Sequence, residues 1–170
     1  MKKLIRYRVS ISERFLASHP KAGKETGFVS KIYNLLDHGS LFVSLDESPA
    51  TKRHTIRGNY QLWKRRFEKI ERGEAVLELY SWTGKPFRSK CETIKVLDKD
   101  SGIGMQKLEF PHKELREPVS INEWYGDKEN YTIDELARND GLALQDFKDW
   151  FKGADLTEPL AIIHFTSFRY

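Results

Sequence analysis

The chain has 170 residues, of which 39% are hydrophobic and 32% charged, with a net charge of +4 and a pI of about 9.1. That balance excludes a disordered or fibrous chain and gives one domain, residues 1–170, with enough length for a core. A lone cysteine, Cys91, excludes an internal disulfide and suits a reducing compartment.

No apolar run approaches the ~18 residues of a membrane span. Arg6 and Arg8 interrupt what would have to be the apolar stretch of a signal peptide. A cytoplasmic protein is the expectation. The five histidines show no paired metal-ligand spacing, so no metal is expected. The mild excess of Lys and Arg permits a polyanionic partner without demanding one.

Residues 3 to 11 alternate, with Ile5, Tyr7, Val9 and Ile11 on one face and Arg6, Arg8 and Ser10 on the other. That period of two predicts a half-buried strand. His19 to Thr26 is a loop by its Pro and Gly content, and Thr26 is placed to cap the next helix. Phe28, Ile32, Leu35 and Leu36 predict that helix over residues 27 to 38, ending at Gly39. Leu41 to Leu45 reads as a short strand leading to the loop Asp46 to Ala50.

Next comes A-T-K-R-H-T-I-R-G-N, Ala50 to Asn59, the densest group of reactive and anion-binding side chains in the chain. Lys52 and Thr55 are three apart, which in a turn or one turn of helix puts both on one side. A threonine hydroxyl needs a base within reach to act as a nucleophile. Lysine is that base only when neutral, which requires burial or nearby positive charge, such as Arg53 and Arg57. The alternative is a solvated Lys52 and an ordinary strand threonine. Gly58 frees the backbone, and Asn59 is placed to cap a helix.

Tyr60 to Arg72 is the clearest helix, with Trp63, Phe67 and Ile70 as its stripe and Gly73 as its stop. Its basic residues either face phosphates or form a solvated face with ion pairs such as Glu68 with Arg72. Ala75 to Trp82 and Phe87 to Leu97 predict a hairpin about Thr83-Gly84-Lys85-Pro86. Trp82 at the strand end either stacks a base or packs the hairpin. The basic segment from Lys52 to Arg72, with Lys85, Arg88 and Lys90, is expected to form one positive surface.

Gly102 and Gly104 lie in a turn-rich loop with no dinucleotide pattern, and no cofactor is expected. Met105 to Phe110 predicts another strand, and His112 to Asp127 is irregular. Thr132-Ile133-Asp134-Glu135 fits a capping box and predicts a helix over 132 to 140. Glu129 then sits just before a helix N-terminus, a suitable place for a functional carboxylate, though pairing with a nearby lysine is the plainer reading. Leu144, Phe147, Trp150 and Phe151 mark a last helix, over 144 to 152. Leu160 to Phe165 reads as a buried final strand. Strands broken by helices give an α+β domain.

The run Lys52, Thr55, Arg57, K-x-x-T-x-R, resembles the signature of the ASCH domains of the PUA-like superfamily. Glu129-Asn130-Tyr131-Thr132-Ile133-Asp134-Glu135-Leu136 is similar to the E-N-x-T-x-x-E-L run of the small bacterial N4-acetylcytidine amidohydrolases in that family. The apolar C-terminal strand ending in an aromatic is a third likeness, and the order of the three agrees. The family pattern has glycine where this chain has Ala50, threonine at Arg53 and an aliphatic residue at His54. Extra residues also precede Lys52 and separate Arg57 from Glu129.

The resemblance implies a mixed PUA-like β-barrel flanked by helices. It implies Lys52, Thr55 and Glu129 as the catalytic set, with Arg53, His54, Arg57 and Asn130 binding substrate. Thr55 would attack an acyl carbon with Lys52 activating it, and Glu129 would shuttle the proton to the leaving amine. The substrate would be an acylated nucleoside or similar small amide. A non-catalytic module binding a nucleoside, nucleotide or RNA is the alternative, and a small-ligand or protein-interaction domain is a third.

Overall fold

A computed structural model describes residues 3–38, 49–122 and 131–170. The expected strand Leu41–Leu45 and most of the loop after it lie outside the described residues, as do Glu129, Asn130, Trp124 and Tyr125.

Seven strands and four helices make up the described chain, in the order β-α-β-α, four strands, two helices and a last strand. Strand β1 (Ile5–Ser10) pairs in parallel with β3 (Ala75–Trp82), and β3 pairs antiparallel with β4 (Cys91–Leu97). A second, antiparallel sheet runs β2 (His54–Arg57), β7 (Leu160–His164), β5 (Gly104–Glu109) and β6 (Ser120–Ile121). The α+β class stands, with one parallel pair among antiparallel ones. Among the described residues the strands form two open sheets rather than one closed barrel.

The pattern of each strand explains its place. In β7 all five residues are buried, as a strand with neighbours on both edges and cover on both faces requires. In β3 Leu79 and Ser81 point inward while Tyr80 and Trp82 are half-exposed, so the outer face of the first sheet is wet at that end. The short β6 has no legible pattern, since two residues carry no period.

The helices begin and end where local chemistry directs. Helix α1 (Phe28–His38) buries Phe28, Ile32 and Leu35, and the Phe28 N–H donates to Thr26 Oγ1 at 3.2 Å. Helix α2 (Tyr60–Glu71) starts at Asn59, whose side chain accepts from the Leu62 N–H. It packs Trp63, Phe67 and Ile70 onto the sheets, burial that contributes about 2 kcal/mol per side chain. The expected Glu68–Arg72 side-chain pair does not form, because Arg72 turns to Glu74 at 2.9 Å. Helix α3 (Ile133–Asn139) carries the expected capping box between Thr132 and Glu135, and α4 (Leu144–Trp150) packs against it.

The hairpin strand expected from Phe87 begins at Cys91. Ser89 Oγ accepts from the Gly84 N–H and donates to Lys85 O, which closes a wider loop. Among the described residues no helix is long and apolar enough to cross a membrane.

Candidate active site

The Ala50–Asn59 segment is extended rather than helical up to its end, which corrects the turn expected for Lys52 and Thr55. The Lys52 N–H donates to Lys31 O on α1, and the Arg53 N–H donates to Asn139 O at the end of α3. The chain then enters β2 and pairs with β7, Thr55 opposite Ile163. Lys52 therefore sits between α1 and the α3 terminus, and Thr55 sits in the sheet.

Both still reach one cavity. A cavity of about 220 Å³ is lined by Lys52, Thr55, Arg57 and Asp140, with Ser10 and Ser12 on one wall. Its apolar wall includes Phe28, Trp150 and Leu16. Thr55 and Arg57 share a face of β2 because strand side chains repeat every two residues. The Arg57 guanidinium donates to the Ser10 carbonyl oxygen, which ties β2 to the end of β1.

Lys52 is 2% exposed, which overturns the alternative of a solvated side chain. Its amine donates to Asp140 Oδ1 at 2.6 Å and to Asp140 O at 2.7 Å. It also lies 4.1 Å from the centre of the Phe28 ring, a cation–π contact. Among the described residues no hydrogen bond joins Lys52 to Thr55; the resting partner of the amine is Asp140. Burial pushes the Lys52 pKa down, and the Asp140 carboxylate only partly opposes it. Burial would raise the Asp140 pKa, but Lys52 and His54 outweigh it and hold the carboxyl below its ordinary range.

Arg53 and His54 do not line this cavity. Arg53 lies over the Phe168 ring at 4.8 Å, against the C-terminal segment. His54 is fully buried, with Nε2 2.7 Å from the Tyr170 hydroxyl. Asn139 Nδ2 donates to that hydroxyl at 3.0 Å. His54 Nδ1 faces Asp140 Oδ1 at 3.6 Å and has no hydrogen-bond partner among the described residues. His54 thus stands behind the Lys52–Asp140 pair and not in front of a substrate. Glu129 and Asn130 lie outside the described residues.

Asp140 is the site residue the sequence did not single out. Its signal was the Asp-Gly step closing α3. Gly141 has a φ of +79°, and a Cβ there would stand 3.0 Å from Lys52 Cβ. The glycine both ends the helix and lets the lysine stem pass. The single positive surface expected from Lys52 to Arg72 is also corrected. Lys52 points inward to Asp140, and Arg57 is drawn onto Ser10, while Lys64, Arg65 and the hairpin residues Lys85, Arg88 and Lys90 remain exposed.

Among the described residues no group of three or more His, Cys, Asp or Glu side chains has an arrangement that could hold a metal ion. The chain matches no protein-family model, no curated protein and no solved structure.

Proposed function

We propose that the protein is an amidohydrolase of the ASCH type acting on an acylated nucleoside or a similar small amide. One observation carries this reading: Lys52, Thr55 and Arg57 of the K-x-x-T-x-R run face a single cavity. Assignment to the PUA-like superfamily, with its barrel, belongs to the same proposal and rests on the two motif resemblances.

In this reading the Thr55 hydroxyl attacks the acyl carbon and its proton passes to Lys52. The resting Lys52 ammonium, paired with Asp140, must first lose a proton to solvent; burial lowers the cost of that neutral amine, and Asp140 stabilises the ammonium again once the Thr55 proton arrives. The C–N bond breaks as the leaving amine takes a proton from the Glu129 carboxyl, the role its position in the second motif gives it. Water then attacks the threonine ester, giving one proton to the Glu129 carboxylate, while the Lys52 ammonium returns its proton to the Thr55 oxygen; the carboxylic acid leaves and all three groups are restored. Arg57 presents a cation beside the site for the oxyanion that develops on the acyl oxygen.

The test is incubation with N4-acetylcytidine, followed by chromatography for cytidine and acetate. Release of both supports the hydrolase. Binding without release would mean that the cavity holds a nucleoside and does no chemistry on it.

A further inference from the structure

The wall of the cavity continues into a strip of aromatic rings that becomes exposed at its outer end. Ser10 and Ile11 line the cavity; Ser10 pairs with Tyr80, and the Ile11 N–H donates to Tyr80 O at 2.7 Å. From Tyr80 the strip runs outward along β3 and into the hairpin loop. The Tyr80 and Trp82 rings are 5.9 Å apart, and the Trp82 and Phe87 rings 5.2 Å apart. Tyr80 and Trp82 are half-exposed, and Phe87 is 88% exposed.

A single exposed ring would need no explanation, but Phe87, 88% exposed, stands against Trp82 and extends a continuous aromatic patch. It is held there by backbone at a φ of +62°, a conformation that bulky residues rarely adopt. Cations flank the strip throughout. Arg8 lies over the Tyr80 ring at 4.0 Å, and Lys85, Arg88 and Lys90 are exposed around Phe87. On the same face Arg6 and Arg8 share one carboxylate, Glu78, at 3.5 and 3.4 Å, which leaves a positive charge in excess.

Flat aromatic faces interleaved with cations, one of them laid over a ring, match the chemistry of unstacked bases joined by phosphates. The cavity agrees in size. Its volume of about 220 Å³ lies below the ~300–1,000 Å³ of pockets that engulf a drug-sized ligand. It has room for a base-sized group, and the remainder of a larger substrate must lie along the wall outside.

We propose that the substrate is a nucleotide within a single strand of RNA, whose neighbouring bases stack on Tyr80, Trp82 and Phe87 while one acylated base enters the cavity. The inference rests on the hydrolase reading for what happens in the cavity; the strip itself does not. Duplex RNA does not fit, because its bases are already stacked on one another and cannot reach the rings.

The test uses the full chain and a fluorescently labelled, short oligoribonucleotide with one internal N4-acetylcytidine, read by anisotropy. Phe87→Ala and Trp82→Ala should each weaken binding about tenfold, the loss expected for one base–aromatic stack. Affinity should fall steeply with added salt, and the annealed duplex should compete poorly. Phe87 makes so little buried contact that its variant keeps the fold, which circular dichroism melting checks. Unchanged affinity in Phe87→Ala and Trp82→Ala overturns the proposal, as does equal competition by the duplex. If the variants lose affinity but neither oligonucleotide nor free nucleoside is deacylated, the stacking strip stands and the hydrolase reading falls. If N4-acetylcytidine is hydrolysed and the variants bind RNA like the parent, the hydrolase reading stands and the strip falls.

Discussion

The Lys52 amine lies 2.6 Å from Asp140 Oδ1, with side chains only 2% and 5% exposed. An ion pair this dry is held up by its partners and falls when one is removed. Asp140→Ala should therefore destabilise the protein by about 3–5 kcal/mol in urea unfolding, because a buried amine is left without its carboxylate. The double variant Lys52→Met, Asp140→Leu should recover much of that loss. Simple additivity of the two substitutions would show that the pair is not coupled.

Thr55→Ala and Lys52→Ala should abolish turnover of N4-acetylcytidine, and Glu129→Gln should slow it without unfolding the domain. The readout that separates chemistry from folding is a melting curve beside the rate. Thr55 is a strand residue at the cavity wall, so its loss should move the melting temperature far less than the loss of Asp140. Full activity in Thr55→Ala would remove the nucleophile from the mechanism.

Stability should fall as the solution is acidified below the ordinary histidine range. His164 is buried between His54 and Phe168, neither ring nitrogen has a hydrogen-bond partner among the described residues, and burial pushes its pKa down to about 2. Its folded pKa lies below the unfolded one, so its contribution is complete above about pH 6.5 and declines as pH falls towards 2. At pH 5 the loss from this one group is about 2 kcal/mol. Burial lowers the His54 pKa as well, in the same direction. His164→Phe should flatten the acid limb of a stability–pH curve; an unaltered limb would assign it to other groups.

Gly141→Ala tests how the lysine reaches its partner. The backbone there has a φ of +79°, and the new Cβ would press on Lys52 Cβ at 3.0 Å. A loss of about 1–2 kcal/mol is expected from the conformation and the contact together. The displaced amine should also lower turnover, which a purely conformational effect at a helix end would not do.

The local elements were determined by the sequence itself. The Thr132–Glu135 capping box, the Asn59 cap, the Trp63, Phe67 and Ile70 stripe and the unbroken apolar run of β7 each depend on residues within a few positions of one another. Lys52, Thr55 and Arg57 stood out for the same reason, because one short segment contains them all. What only the tertiary structure decided is which groups meet. Asp140 lies 88 positions from Lys52 and becomes its partner because the end of α3 docks on Arg53, in the extended segment just before β2. His54 and Thr55 are neighbours in the chain, yet strand geometry gives one to the C-terminal tyrosine and the other to the cavity. The same docking decides that Lys52 is buried and not on a basic surface. Charge and composition are properties of a residue, whereas desolvation and pairing are properties of its surroundings, and those are assembled only when distant segments pack.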